Sequence, residues 1–165
     1  MAAQGIVRVC RDDRTVTFQV EGWTTMNQSL MFRRSAEQSL AGGARVLRVD
    51  LRLCTFMDST FIGTLLFLKR TVHGRKQGEF FLVSPSPECR QLFHKMGLDG
   101  AFPILEEEPA SQSWTELSRE GEDSDAFKCN VVQAHRELAR IEGPAGDPFR
   151  AVVRCLERDL EAEKK

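Results

Sequence analysis

Two short runs rich in β-branched residues open the chain, at residues 6–9 and 15–20, with the polar residues 11–14 between them. This pattern predicts a β-hairpin. Residues 26–40 then place Phe32, Ala36 and Leu40 four residues apart, which predicts an amphipathic helix closed by Gly42 and Gly43. From residue 45 to residue 53 apolar and polar positions alternate strictly, which predicts a strand with one polar face. A sheet built from such strands is expected to carry its helices mainly on one face.

Helical and strand patterns continue to alternate after a link at residues 54–57. A second helical stripe follows Asp58, the expected N-cap, and consists of Phe61, Leu65, Leu68 and Val72. Residues 79–83 predict a strand, and residues 102–105 predict a short final one. Between them, Ser86 followed by Pro87 predicts a helix start. The order β-β-α-β-α-β-α-β indicates an α/β fold whose later strands are parallel.

The remaining third of the chain has a different composition. Residues 106–126 contain eight acidic residues and one basic residue, which is typical of a linker. Beyond them, apolar residues recur every three or four positions in two stretches. They are Phe127, Val131, Ala134, Leu138 and Ile141, then Phe149, Val153, Leu156 and Leu160. This predicts a helical hairpin, with Asp147 as N-cap and Pro148 as first residue of its second helix.

The predicted organisation is therefore a domain at residues 1–105, an acidic linker at 106–126 and a C-terminal helical hairpin at 127–163. We expect the hairpin either to pack on itself or on its own domain, or to form a homodimer or bind a partner, and the pattern leaves these alternatives open. The net charge of −1 divides into +5 for residues 1–105 and −6 for residues 106–165. We therefore expect the acidic tail to dock on the basic domain, with the polar sheet face around Arg48 and Arg52 as the candidate surface.

Composition excludes several classes of protein. A net charge near zero argues against nucleic-acid binding, and no apolar run is long enough for a membrane span or a signal peptide. The five cysteines form no CxxC pair, so we expect reduced thiols and a cytoplasmic protein. The three histidines lack ligand-spaced partners, and we expect neither a metal nor a cofactor.

Residues 46–63 read VLRVDLRLCTFMDSTFIG, and residues 82–104 read LVSPSPECRQLFHKMGLDGAFPI. These blocks and the order of elements resemble the STAS family, the domain of bacterial anti-sigma-factor antagonists. The resemblance covers about residues 5–105. It implies a mixed β-sheet with helices mainly on one face, to which this chain adds the C-terminal helical hairpin.

The resemblance also implies a function. In these antagonists, the serine after the turn aspartate is phosphorylated by a partner that is both anti-sigma factor and serine kinase; by position that serine is Ser59. A PP2C-like phosphatase is a second implied partner. The predicted position of Ser59 is independently consistent with a phosphorylation site. A serine at the first helical position lies where free N–H groups and the helix dipole favour an anion. Supporting and partner-contact roles then fall to Asp58, Thr60 and Phe61.

Two positions depart from the family pattern. Phe61 stands where the family usually has Gly. If exposed, it would anchor a different partner; if buried, it would change how the turn packs. Thr24 and Thr25 stand where a Leu-Asp or similar pair is usual, which weakens the transfer of partner contacts from that loop.

We therefore expect a non-catalytic regulatory module switched by phosphorylation at Ser59. The alternative is a non-phosphorylated STAS scaffold or sensor subunit that assembles through its helical tail. The sequence motifs of the enzyme classes considered are absent or incomplete. A phosphoaspartyl nucleophile at Asp58 would need a second aspartate at position 60, where Thr60 stands. There is also no GxSxG elbow and no GxxxxGK[ST] loop.

Overall fold

A computed structural model of the chain describes residues 3–119, 121 and 123–165. Six strands and five helices follow one another along these residues. They are β1 (Ile6–Asp12), β2 (Thr15–Thr24), α1 (Met26–Ala41), β3 (Val46–Met57), α2 (Ser59–His73), β4 (Glu79–Val83), α3 (Pro87–Lys95), β5 (Ile104–Leu105), β6 (Thr115–Glu116), α4 (Ser124–Ala139) and α5 (Asp147–Glu163). The predicted elements are all present, and β6 is an addition.

The strands form one mixed sheet in the order β5-β4-β3-β2-β1-β6. β1 and β2 form the predicted antiparallel hairpin, whereas β2, β3, β4 and β5 run parallel. Apolar side chains from the sheet and from α1 and α2 fill the core, and the predicted α1 stripe of Phe32, Ala36 and Leu40 is buried. The apolar face of the sheet is therefore the one that carries these helices.

The central strand differs from its prediction at its C-terminal end. β3 continues through residues 54–57, which were expected to form a link. The register with β2 shifts there, since Gln19 pairs with Asp50 but Glu21 pairs with Leu53. The extra residue reverses the alternation, so Leu53 is 46% exposed and Cys54 is buried, against the predicted inward position of Leu53.

The acidic segment after β5 crosses the sheet from one edge to the other. β5 pairs with β4 at one edge, and β6 pairs with β1 at the opposite edge. On the way, Glu107 forms an ion pair with Arg48, and Arg52 donates to the Glu107 carbonyl at 3.1 Å. The expected docking of acidic residues on the Arg48 and Arg52 face thus holds for the start of the segment.

The C-terminal helices pack together and lie on the helical side of the molecule. α4 contacts α1 and α2, and α5 contacts α4. Leu138 is fully buried and joins the hydrophobic core. α4 begins at Ser124 because Asp123 accepts from the Ala126 N–H at 3.1 Å. At α5, Gly146 is the N-cap and Asp147 the first helical residue, so the predicted N-cap is wrong by one position.

Candidate functional site

The site begins where β3 passes directly into α2 at Asp58. As predicted, Asp58 is the N-cap, and its Oδ1 accepts from the Phe61 N–H at 2.8 Å. Its Oδ2 accepts from the Met26 N–H at 2.8 Å. Both oxygens of one carboxylate thus satisfy first-turn amides, one in α2 and one in α1, which would otherwise lack intrahelical partners. Asp58 therefore fixes the two helix starts side by side.

Ser59 is the first residue of α2 and is half-buried. Its Oγ lies 3.1 Å from Nε2 of His135, a residue of α4 that is 8% exposed. The Nδ1 of His135 lies 2.8 Å from the Val131 carbonyl oxygen. A carbonyl only accepts, so Nδ1 carries a proton, and the tautomer assigned from this contact leaves Nε2 as the acceptor. The Ser59 hydroxyl therefore donates its hydrogen bond to His135.

The next two residues point into the protein. Thr60 is 2% exposed, and its carbonyl accepts from the Thr64 hydroxyl at 2.8 Å. Phe61 is fully buried, and its ring stacks on Phe32 with 5.2 Å between centroids. Neither side chain can touch a partner in this conformation, so their expected partner-contact role is corrected to one of packing. Of the two alternatives for Phe61, the structure shows the buried one.

Side-chain hydrogen bonds also hold the end of β2 and the start of α1. Thr24 is fully buried, and its hydroxyl donates to the Phe56 carbonyl at 3.1 Å. Thr25 caps α1 in a capping box with Gln28.

Exposed apolar side chains lie beside these threonines. Trp23 and Met26 are 43% and 41% exposed, and the Trp23 ring stacks on Phe56 with 4.0 Å between centroids. We call Trp23, Met26 and Phe56 the apolar patch; it adjoins Asp58 through the Met26 amide.

Sequence reasoning missed His135, because its partner Ser59 lies 76 positions away along the chain. One signal was available. His135 follows Ala134 within the apolar stripe of α4, four residues after Val131. A histidine on the inward side of an amphipathic helix must find a polar partner in whatever that face covers.

Metal and membrane features can be stated for the described part of the chain. Within residues 3–119, 121 and 123–165, no group of three or more His, Cys, Asp or Glu side chains could hold a metal ion. In the same residues, no helix combines the length and apolar character that a bilayer crossing requires.

Comparison with known proteins gives one family match. A family model described as "Mlab, STAS domain" matches residues 7–106. A comparison with curated protein sequences gives no significant match.

Several solved structures share the fold. The anti-sigma factor antagonist SpoIIAA in its unphosphorylated form is 23% identical, covers 62% of this chain and 88% of its own, and has a TM-score of 0.51. The Bacillus cell fate determinant SpoIIAA in the phosphorylated form is 22% identical, covers 62% of this chain and 91% of its own, and has a TM-score of 0.52. The protein TM1081, solved by NMR, is 18% identical, covers 59% of this chain and 78% of its own, and has a TM-score of 0.53. At these identities the likeness shows the fold alone, and it confirms the predicted fold class.

Proposed function

This chain belongs to the STAS domain family, and we propose that it acts as an anti-sigma-factor antagonist whose partner binding is switched by phosphorylation of Ser59. The family is generally non-catalytic, and the proposed module has no enzymatic activity of its own. The observation that carries the proposal is the Asp58 cap, which holds Ser59 at the first position of α2.

The position of Ser59 suits a phosphate. The first turn of α2 presents backbone N–H groups and the positive end of the helix dipole. A phosphoserine adds a charge of about −1.5 to −2 to this turn. Because Asp58 is anchored by two backbone amides, the phosphate changes the surface charge without needing to unfold the helix start. The charge would repel a partner whose contact surface is acidic or apolar.

The apolar patch supports a protein as the partner. Trp23 and Met26 expose apolar surface directly beside Asp58, and aromatic side chains of this kind are enriched in protein interfaces. The proposed partner is a serine kinase that is also the anti-sigma factor, with a PP2C-like phosphatase reversing the modification. A kinase of this type uses ATP, so the proposal places the reaction in the cytoplasm.

The test is a phosphorylation assay with mapping by mass spectrometry. Candidate anti-sigma-factor kinases encoded in the same genome are purified singly and incubated with the full chain and ATP. We expect about one phosphate per chain, on Ser59, and none on Ser59→Ala. Ser111→Ala, which removes an exposed linker hydroxyl, is the matched control and should be modified like the wild type. A stoichiometric phosphate on another residue would refute the assignment.

Binding supplies the second readout. Ser59→Asp should weaken binding to the same kinase at least tenfold relative to Ser59→Ala, because the added charge lies at the contact. Equal affinities for the two variants would contradict the switch and favour the alternative, a STAS scaffold or sensor that is not phosphorylated.

A further inference from the structure

Helix α4 lies against the first turns of α2, where the proposed phosphorylation site is found. An added Cβ on Gly63 of α2 would lie 2.2 Å from the Ala134 carbonyl oxygen of α4, so the two backbones are in direct contact. Ala134 is 1% exposed, and Val132 is 4% exposed. The side chain that reaches Ser59, His135, follows Ala134 on the same helix. The chain therefore covers part of its own candidate site.

This contact constrains the Ser59 hydroxyl. The hydroxyl donates a hydrogen bond to His135 Nε2, which lies 3.1 Å from the oxygen that would attack a phosphoryl donor. A kinase must bring the γ-phosphate of ATP in line with that oxygen at similar range. The imidazole takes one hydrogen-bonding direction of that oxygen, and α4 lies beside it, so this helix restricts the approach to Ser59.

The contacts that hold α4 are partly polar. Arg70 of α2 donates to Glu137 from Nε at 3.1 Å, although the Glu137 side chain is only 4% exposed. Asn130 is 2% exposed and donates to the Ser29 hydroxyl of α1 at 2.9 Å. Interfaces between the parts of one chain are more polar than obligate interfaces, and relative motion is expected unless the interface is large and apolar. The polar pairs of α4 favour such motion, whereas Leu138 anchors the helix in the hydrophobic core, so opening has to expose Leu138.

We propose that α4 is an intramolecular competitor of the kinase for the start of α2, and that it regulates access to Ser59. In the closed form, α4 covers the start of α2 and His135 binds the Ser59 hydroxyl. In the open form, α4 leaves α1 and α2, and the kinase binds in its place. This inference rests on the proposed function for its consequence, but the closed and open forms are properties of the chain alone.

Gly63→Ala tests the proposal, because the new methyl group cannot fit against the Ala134 carbonyl. Gly74→Ala is the matched control, since its added Cβ would meet only ordinary contacts at 3.5 Å and beyond, at the C-terminal cap of the same helix. We expect hydrogen–deuterium exchange in residues 124–139 to rise at least tenfold in Gly63→Ala and to stay unchanged in Gly74→Ala. The amides of β2 and β3 should remain protected in both.

Arg70→Ala is a second variant expected to open α4, and it serves if Gly63→Ala does not fold. The Arg70 side chain is 51% exposed, and its loss leaves the buried Glu137 carboxylate without its bidentate partner. The same rise in α4 exchange is expected. Unchanged exchange of α4 in the folded opening variants would overturn the competitor role.

The kinase assay separates this inference from the proposed function. Ser59 should be phosphorylated at least tenfold faster in the opening variants, Gly63→Ala and Arg70→Ala, than in the wild type or Gly74→Ala. Equal rates, with α4 opened, would overturn the competition and leave the proposed function standing. Absence of phosphate from every variant would overturn the proposed function and its regulation together.

Discussion

A single carboxylate, Asp58, defines the local geometry of the candidate site. It accepts from the Phe61 amide in α2 and from the Met26 amide in α1, each at 2.8 Å. The N-cap role was predictable, because a short carboxylate before an apolar helical stripe is a strong signal. The bond to Met26 was not, since it depends on how the end of β2 lies beside the end of β3.

Asp58→Ala should lower the free energy of unfolding by about 2 kcal/mol, because loss of one N-cap bond alone costs about 1 kcal/mol. Asp58→Asn should fall between wild type and Asp58→Ala, since an amide has one acceptor oxygen for two N–H groups. Urea denaturation followed by circular dichroism measures both. A loss below about 0.5 kcal/mol in Asp58→Ala would contradict the double cap.

The cysteines differ sharply in accessibility. Cys54 and Cys89 are buried, whereas Cys129 and Cys155 are exposed. A hydrogen bond with Cys89, together with burial, raises the pKa of the Cys54 thiol, so Cys54 stays protonated and unreactive. The Cys89 pKa is lowered by the same hydrogen bond, but that sulfur has no exposure to solvent.

Iodoacetamide at neutral pH should therefore alkylate Cys129 and Cys155 in the folded protein long before Cys54 and Cys89. Peptide mass spectrometry over a time course gives the order, and the same reaction in 6 M guanidinium, which should label all five cysteines, is the control. Early labelling of Cys54 or Cys89 would show that the end of β3 opens readily.

At the scale of elements, α1 and α2 meet through an aromatic cluster. Phe32 packs edge to face on Phe18 at 4.9 Å between centroids and stacks on Phe61 at 5.2 Å. Phe61 stands where the resemblance leads one to expect glycine, and its burial shows that this chain fills the space between the helices with a ring. The departure therefore changes the core and leaves the Asp58 cap intact.

Restoring the family residue should destabilise the fold. We expect Phe61→Gly to lower the free energy of unfolding by about 4 kcal/mol, through a cavity of ring size and the low helix propensity of glycine. Phe56→Ala is the control, because its ring stacks on the exposed Trp23, and it should lose about 1 kcal/mol. Similar losses for the two variants would contradict the assignment of Phe61 to the core.

Elements with clear periodicity could be predicted, and those without it could not. The capped helix α2 and the strand β4 were found from local sequence alone. β6 has two residues and no periodicity, and it exists only because β1 offers an edge. The inward turn of Cys54 depends on a register shift against β2, which no local pattern of β3 records.

At the scale of the whole molecule, the division of charge explains how the two parts meet. Among the residues that the structure describes, four ion pairs join a basic residue before position 105 to an acidic residue after it. They are Arg34–Asp123, Arg48–Glu107, Arg70–Glu137 and Arg90–Glu106. The opposed charges were visible in the sequence, but their distribution over both sides of the sheet was not. The expected sheet face receives Glu107, while the helices dock on α1 and α2.

Salt should therefore weaken the association of the two parts. Partly exposed ion pairs contribute about 0–1 kcal/mol each and are screened by salt. We expect the free energy of unfolding to fall by about 1–2 kcal/mol between 20 mM and 500 mM NaCl. The double variant Glu106→Gln, Glu107→Gln should show a smaller fall. A salt response identical in both proteins would contradict a role for these two pairs.

The stretch of chain from β5 to β6 crosses the sheet and also forms both of its edge strands. β5 pairs with only Leu82 and Val83 of β4, and β6 pairs with only Arg8 and Val9 of β1. Long exposed edge strands invite pairing with other chains and hence aggregation, and very short edge strands are a common defence. Residues 104–116 thus terminate the sheet on both sides, and removing the residues after 105 would uncover Arg8 and Val9 and lengthen the unpaired edge of β1, which favours aggregation.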